Sequence, residues 1–464
     1  MLSHKLSIAA VLLVLAGGIP LVVSQFDWVS STGPGKPAAT GPAGPASPVS
    51  APGATAPKAA AAALPISILI GDCLQDSLPN AADAERRAAA CSAAIQSHGL
   101  TPGELALARL NRGAARMAMG DKVMASRDYM DALQHYDSMI DPANPHALAL
   151  YRRGTALEAL GQTDRALSDY NQAIKLDPRE PLAFFGRGVL LATRKRAYVR
   201  AIADFDKVLA LQPDNVAALM FRGDAYGQMG EFGRSLADLD RAIALAPDDA
   251  RAYVFRGLAN GRRGKDQLAL DDYASALERD PRNVDALVNR AAIRSAAGKN
   301  DQAIRDLDAA LAIRPDNPLA LYNRGYARFI KRDYDQAIAD YSAAISLDPT
   351  MGLAYNNRCL TRAIVGRDLV PALADCDMAL KLIPTSLEIH NTRGFIYLKL
   401  GDPAIAITEY DKALDADPNR ALSLYGRGLA KIRSGRQKEG EADQAAARAL
   451  LPSVERRFSI YGLE

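Results

Sequence analysis

Residues 321–349 read LYNRGYARFIKRDYDQAIADYSAAISLDP, and this stretch decides how the whole chain is interpreted. It holds an arginine followed by a glycine, a charged turn, an alanine-rich run with an acid, and a closing proline. The same order recurs in YRRGTALEALGQTDRALSDYNQAIKLDP at 151–178 and in SLYGRGLAKIRSGRQKEGEADQAAARALLP at 423–452. Because apolar residues recur at helical spacing and proline disfavours helix in its predecessor, each stretch predicts two helices joined by a turn.

The motif repeats along the chain with a nearly constant period. The small residue after the arginine recurs in steps of 34 or 35 residues, apart from a first step of 41. It occurs at Gly113, Gly154, Gly188, Gly223, Gly257, Ala291, Gly325, Cys359, Gly394 and Gly428. One helix pair cannot bury its own apolar face, so neighbouring pairs are expected to stack.

This 34-residue helix–turn–helix period resembles the tetratricopeptide repeat. The resemblance spans about residues 68–452 and implies an all-α fold, a right-handed α-solenoid of stacked repeats. Together with composition it predicts five segments. They are a signal peptide or membrane anchor at 1–29, a disordered Pro/Ala/Gly linker at 30–67, a capping half-repeat at 68–105, ten repeats at 106–451 and a capping helix at 452–464.

The amino-terminal segment predicts export. After Lys5, residues 6–23 carry no charge and are mostly apolar, which is long enough to cross a bilayer. An uncleaved anchor and a cleaved signal both remain open, and both place the repeats outside the cytoplasm because the positive end stays inside. Similar repeat proteins with such a segment and spacer look bacterial. We therefore expect the chain on the periplasmic face of the inner membrane, or in the periplasm if the signal is cleaved.

An arginine and an acid recur in every repeat and are expected to pair. The predicted structural ion pairs include Arg153 with Asp169, Arg324 with Asp340, and Arg358 with Asp375, joining stacked helices along the solenoid. Arginine suits this role because its fork can grip a carboxylate through two bonds. The alternative is a ladder of charges that binds a ligand.

The four cysteines fall into two local pairs. Cys359 occupies the small-residue position and Cys376 the large aromatic position of the same repeat, and Cys73 lies eighteen residues before Cys91 in the capping unit. In an exported protein this predicts the disulfides Cys73–Cys91 and Cys359–Cys376. The alternative is four buried thiols. Zinc is disfavoured because no histidine joins either pair at ligand spacing.

Asparagines mark the candidate ligand site. In tetratricopeptide repeat proteins the first helices line a concave groove, and the resemblance places there the residue two before the small residue. Asn289, Asn323 and Asn357 occupy this column, with Asn356 and Asn391 one position to the side. The three resemble the asparagine ladder of the O-GlcNAc transferase superhelix, which holds extended peptides. The alternative is that they bond neighbouring helices.

A second arginine column, Arg294, Arg328 and Arg362, lies one helical turn after the repeat's own arginine. Like charges at this spacing repel unless an anion answers them. These arginines are assigned to the peptide groove, where they would attract an acidic partner segment. The alternative is that they bind further acids of the scaffold.

Balanced charge and the repeat pattern narrow the function. With 56 basic and 53 acidic residues, the chain lacks the concentrated positive charge of nucleic-acid binders. No nucleophile with a base, acid pair or metal cluster interrupts the repeats, so no enzyme, cofactor or metal is predicted. The prediction is a scaffold that binds an unidentified protein or peptide in its groove, with the inner membrane as a second contact if the anchor is uncleaved. A purely structural or self-assembling solenoid remains the alternative, and an RNA-binding helical repeat is disfavoured.

Overall fold

A computed structural model describes residues 66–74, 81–97, 99–460 and 462. The predicted signal or anchor at 1–29 and the predicted linker up to residue 65 lie outside these residues. Residues 66 and 67, which were assigned to the linker, belong instead to the first helix. None of the helices in the described residues combines the length and the apolar character that a membrane crossing needs.

The described residues form helices joined by turns and include no strand, which confirms the predicted all-α array of helix–turn–helix units. They divide into two compact units, one up to Pro281 and one from Arg282 onward. The amino-terminal unit contains α1 (Ile66–Leu74), α2 (Ala81–Gln96), α3 (Pro102–Ala118), α4 (Lys122–Met139), α5 (Ala147–Ala159), α6 (Thr163–Leu176), α7 (Pro181–Thr193), α8 (Tyr198–Leu211), α9 (Val216–Gln228), α10 (Phe232–Leu245), α11 (Ala250–Arg262) and α12 (Asp266–Arg279).

The carboxy-terminal unit continues the same alternation of a first and a second helix. It contains α13 (Val284–Ala296), α14 (Asn300–Ile313), α15 (Pro318–Ile330), α16 (Tyr334–Leu347), α17 (Gly352–Val365), α18 (Leu369–Leu382), α19 (Leu387–Leu400), α20 (Pro403–Ala416), α21 (Ala421–Arg433), α22 (Gln437–Leu450) and the short α23 (Val454–Ile460). Each odd-numbered helix from α3 to α21 carries the arginine, and each following helix carries the acid.

Local sequence sets the helix ends. At the connection after α14, Pro315 stops the helix, and the side chain of Asn317 accepts a hydrogen bond from the Ala320 amide, 3.0 Å away, to cap α15. The turn inside the preceding hairpin uses Gly298 at φ 76°, a conformation that glycine adopts without strain. Thr101 and Glu104 form a capping box that starts α3 at residue 102, earlier than the predicted repeat boundary at 106.

The small residue of the first helix packs against a side chain of the second helix, as at Gly325 and Gly394. A Cβ atom at Gly325 would lie only 2.8 Å from the Tyr341 ring, so that tyrosine requires glycine opposite it. Where the small residue is Ala291, the large position holds the smaller Leu307. Both members of these pairs are fully buried. This contact fixes how closely the two helices of a hairpin approach, and so aligns the first helices side by side.

Candidate functional site

The repeated arginine grips the acid of its own hairpin. Arg324 donates from Nε to Asp340 Oδ2 at 3.0 Å and from Nη2 to Asp340 Oδ1 at 2.7 Å. The same two-bond contact occurs in Arg112–Asp128, Arg153–Asp169, Arg187–Asp204, Arg222–Asp238, Arg290–Asp306, Arg358–Asp375 and Arg427–Asp443. The sequence predicts a pair between stacked helices along the solenoid. The pair instead joins the two helices of one hairpin.

The link between successive hairpins comes from the third nitrogen of the same arginine. Arg324 Nη1 donates to Asp308 of the preceding hairpin at 2.7 Å. Sequence reasoning missed this acceptor. The sequence does carry a signal for it, since a polar residue recurs two positions after the acid. The equivalent contacts are Arg187–Asn171, Arg222–Asp206, Arg256–Asp240, Arg358–Ser342 and Arg427–Asp411.

The second arginine column is committed to the same acids. Arg328 Nη1 lies 2.6 Å from Asp340 Oδ2, and the corresponding distances are 2.5 Å for Arg294–Asp306 and 2.6 Å for Arg362–Asp375. Residues four apart share one helix face, so both arginines reach one carboxylate. These ion pairs agree with the alternative that the sequence left open, in which Arg294, Arg328 and Arg362 bind acids of the scaffold rather than a ligand.

Two hairpins depart from this pattern. In one, Arg256 donates from both Nε and Nη2 to the same oxygen, Asp272 Oδ1. In the other the acid is Glu409, whose carboxylate accepts from His390 Nδ1 at 2.8 Å and from Lys412 Nζ at 2.9 Å, while Arg393 Nη1 lies farther away at 3.6 Å. Burial opposes ionisation of Glu409, but these hydrogen bonds and the Arg393 charge outweigh it and lower the pKa of the carboxyl.

The cysteines lie as two local pairs. The structure joins Cys73 to Cys91 and Cys359 to Cys376, with Cα–Cα distances of 4.7 Å and 5.6 Å. All four side chains are fully buried. In the second pair, Cys359 and Cys376 occupy the positions that glycine and tyrosine hold in neighbouring hairpins, so the pair replaces a packing contact of the repeat.

The asparagine column lies between neighbouring first helices. Asn289 is 3% exposed and donates to the Asp285 carbonyl of its own helix, and Asn323 is 9% exposed. Asn357 Nδ2 donates across to the Tyr322 hydroxyl of the preceding first helix at 3.2 Å. In the amino-terminal unit, Phe221 and Phe255 fill the same column and meet edge to face with centroids 5.5 Å apart. This placement favours the alternative in which the column holds adjacent repeats together.

A different set of side chains is presented along the row of first helices. It consists of the residues three before, one after and five after the small residue, which share one helix face and which we call the groove stripe. In the carboxy-terminal unit its members from α15 to α21 are Tyr322, Tyr326, Ile330, Asn356, Leu360, Ile364, Asn391, Phe395, Lys399, Tyr425, Leu429 and Arg433. Lys399 Nζ donates to the Ala363 carbonyl at 2.8 Å and Arg433 Nη1 to the Leu398 carbonyl at 3.0 Å, so the stripe runs from one first helix to the next.

On α15 and α17 the groove stripe is apolar with polar groups interspersed. Tyr326, Leu360 and Ile364 are partly buried, and Ile330 is 45% exposed. Burial raises the pKa of the Tyr326 phenol, which therefore stays neutral and can donate a hydrogen bond. Within the described part of the chain, the Asn356 amide oxygen has no hydrogen-bond partner.

The groove stripe contains two of the predicted groove asparagines, Asn356 and Asn391. An asparagine amide both donates and accepts, which is why the sequence predicts a peptide-backbone ligand there. Asn391 Oδ1 already accepts from the Ser423 hydroxyl at 3.2 Å, which fixes the orientation of that amide. Both residues are partly buried, and the Asn356 amide oxygen itself is buried.

Comparison with known families agrees with this architecture. One family model, described as tetratricopeptide repeat, matches residues 151–216, 222–284 and 288–351. A second model with the same description matches residues 387–420. The chain is a tetratricopeptide repeat protein. Tetratricopeptide repeats generally serve as scaffolds that bind other proteins, and the scaffolds of this family are generally non-enzymatic.

The similar curated proteins share only part of their length with this tetratricopeptide repeat protein. The small glutamine-rich tetratricopeptide repeat-containing protein 2 of Mycosarcoma maydis is 32% identical over 99 residues, 21% of this chain and 28% of that protein. The DnaJ homolog subfamily C member 3 of Rattus norvegicus is 33% identical over 97 residues, 21% of this chain and 19% of that protein. The chain therefore spans between about a fifth and just over a quarter of these relatives.

Two solved structures are similar to part of this chain. The Cut9–Hcn1 hetero-tetramer of the APC/C is similar with a TM-score of 0.48 at 15% identity, covering 86% of this chain and 95% of that one. A tetratricopeptide repeat protein from Parabacteroides merdae is similar with a TM-score of 0.43 at 20% identity, covering 56% and 98%.

Proposed function

We propose that this tetratricopeptide repeat protein is a scaffold whose groove stripe binds a segment of a partner protein. The observation that carries the proposal is the stripe on α15 and α17, where Tyr326, Ile330, Leu360 and Ile364 offer accessible apolar surface on a rigid frame. Aromatic side chains are favoured anchors in protein interfaces because they bury large areas at low entropic cost.

The surrounding charges support a protein ligand of modest charge. The arginines beside the stripe form ion pairs with acids of the scaffold, as in the Arg328–Asp340 pair. The neutral Tyr326 hydroxyl remains as a directional polar group at the stripe. A partner segment would thus be held by apolar contacts and a few hydrogen bonds rather than by a charge clamp.

Affinity purification tests the proposal. The full chain is compared with the groove variant Tyr326→Asp and with the control Val370→Asp, which changes a 71% exposed residue of the second helix α18. A partner identified by mass spectrometry is expected with the wild type and the control and to be lost with Tyr326→Asp. A partner that stays bound equally to all three would contradict the proposal.

We further propose that the scaffold acts on the periplasmic face of the inner membrane, or in the periplasm if the amino-terminal segment is cleaved. The uncharged residues 6–23 and the two cysteine pairs support this placement. A reporter enzyme that is active only outside the cytoplasm, fused after residue 464, is expected to be active. Activity of a cytoplasm-only reporter at the same position would contradict the placement.

A further inference from the structure

The carboxy-terminal helix α23 lies on the groove stripe. The ring centroid of Phe458 is 4.9 Å from that of Tyr425 and 6.3 Å from that of Phe395. Tyr425 belongs to α21 and Phe395 to α19, so one aromatic side chain bridges two neighbouring first helices. Phe458 is only 4% exposed as a result.

Gly462, which follows α23, lies beside the same face. A Cβ atom built on Gly462 would lie 3.7 Å from Lys399 Nζ, at the far end of the stripe on α19. A helix that only covered the last hairpin would need to contact α21 and α22 alone. The segment at 454–462 therefore does more than the predicted cap, because it occupies the groove stripe of the last two hairpins.

The contact has the chemistry of a helix in an apolar groove. Val454 and Phe458, four residues apart, are 0% and 4% exposed, whereas Glu455, Arg456 and Ser459 are exposed. Anchors at i and i+4 on one face, with polar residues opposite, characterise amphipathic helices that dock on other proteins. The rings of Phe458 and Phe395 meet edge to face at 80°.

The surface that α23 covers continues beyond it. On α17 and α15 the groove stripe presents Leu360, Ile364, Tyr326 and Ile330, which are partly or well exposed and of the same aromatic and aliphatic character. The occupied and the accessible parts of the stripe thus form one surface along the first helices of the carboxy-terminal unit.

We propose that this groove stripe binds an amphipathic helix that inserts an aromatic side chain between neighbouring first helices, and that α23 is the chain's own occupant of the last such position. The inference rests on the proposed scaffold function and specifies its ligand as a partner helix with an aromatic anchor. The same contact makes α23 a competitor for any partner helix that extends onto α19 and α21.

A peptide-binding experiment tests the inference on the full chain. The probe is a fluorescent peptide of residues 452–462, PSVERRFSIYG, and its match is the same peptide with Phe458→Ala. Fluorescence anisotropy compares the wild-type chain with the Phe458→Ala chain, in which the site of the Phe458 ring between α19 and α21 is vacated. The Phe458→Ala chain is expected to bind the probe at least about tenfold more tightly than the wild-type chain, and the matched peptide at least about tenfold more weakly than the probe.

Two controls keep the outcome decisive. Circular dichroism verifies that the Phe458→Ala chain keeps its helices, and a Phe458→Leu chain, which retains apolar bulk, is expected to stay closed to the probe. Equal binding of both peptides, or no binding by the folded Phe458→Ala chain, would overturn the inference. Light scattering that shows a wild-type dimer lost in Phe458→Ala would assign α23 to the groove of a second copy and overturn the occupancy within one chain.

This test is separable from that of the proposed function. Loss of a partner in the Tyr326→Asp variant depends on α15 and needs no α23 peptide. A partner lost there without peptide binding would leave the scaffold function standing and refute only the helix specificity. If the peptide binds but no partner is recovered, the helix specificity would stand and the scaffold function would be refuted.

Discussion

Arg324 links two successive hairpins through one guanidinium group, donating to Asp340 of its own hairpin and to Asp308 of the preceding hairpin, each at 2.7 Å. The Asp340 side chain is 5% exposed while that of Asp308 is 51% exposed. The inner bond therefore stabilises the hairpin far more than the outer one, since exposed ion pairs contribute little. This contact recurs along the array and keeps the first helices in register under the groove stripe.

Replacing this arginine is expected to weaken the array. Arg324→Ala leaves the buried Asp340 with Arg328 alone and should lower the free energy of unfolding by about 2–4 kcal/mol. Arg324→Lys should recover only part of the loss, because an ammonium cannot reproduce the two-bond fork. Denaturant unfolding followed by circular dichroism measures both.

The matched control for that substitution is the exposed pair Arg367–Asp335, whose side chains are 67% and 78% exposed. Arg367→Ala is expected to leave the unfolding midpoint unchanged. A loss as large as that of Arg324→Ala would show that burial does not set the value of these pairs.

The contact between Gly325 and Tyr341 predicts a compensating pair of substitutions. Gly325→Ala places a methyl group against the ring and should destabilise by about 1–3 kcal/mol. Adding Tyr341→Leu reproduces the Ala291–Leu307 pair of the neighbouring hairpin and should restore most of the stability. A double-mutant cycle on the midpoints measures the coupling, and strictly additive losses would contradict the size-matching explanation.

The cysteine pairs predict a defined thiol count. Alkylation of the denatured chain is expected to label no cysteine before reduction and all four after it. Because Cys359 and Cys376 close a loop of 17 residues, reduction should lower stability by about 3 kcal/mol per bridge in the chain-entropy model. Four reactive thiols in the denatured, unreduced protein would refute the disulfides.

Acid should destabilise the hairpin that contains Glu409. Its pKa in the folded chain lies below the ordinary value of 4.5, so its contribution to stability is complete above that value and is lost as the pH falls through the folded pKa. We expect the free energy of unfolding to decline as the pH drops below about 4.5. The slope should be smaller in Glu409→Gln, measured by urea unfolding across the same pH range, and an unchanged slope would refute the assignment.

The repeat period made the fold predictable from sequence. The arginine, the small residue and the closing proline each recur in register, and each has a local physical role that the structure retains, as at Gly325 opposite Tyr341. Helix ends were less certain, since the Thr101–Glu104 capping box starts α3 before the boundary that the period suggests. A period defines how repeats are spaced, while capping residues decide where each helix begins.

The candidate site was harder to predict because side chains on adjacent helix faces differ by a single position. Asn323 and Asn356 occupy neighbouring columns, yet Asn323 packs between first helices while the Asn356 amide lies on the groove stripe. From the sequence, Arg328 could pair with a ligand or with Asp340, and its charge alone does not distinguish these two partners. The Phe458 contact could be identified only from the structure. Helical spacing predicts an apolar face on this segment but does not show which surface that face covers.

The most direct test of a protein-binding groove uses photocrosslinking in cells that make the full chain. A photoreactive amino acid is placed either at Tyr326 on the groove stripe or at Val370 on the second helix α18. We expect crosslinks to a discrete partner from position 326, diminished by competing unlabelled chain, and none above background from position 370. Crosslinks of equal yield from both positions, or from position 370 alone, would contradict this expectation.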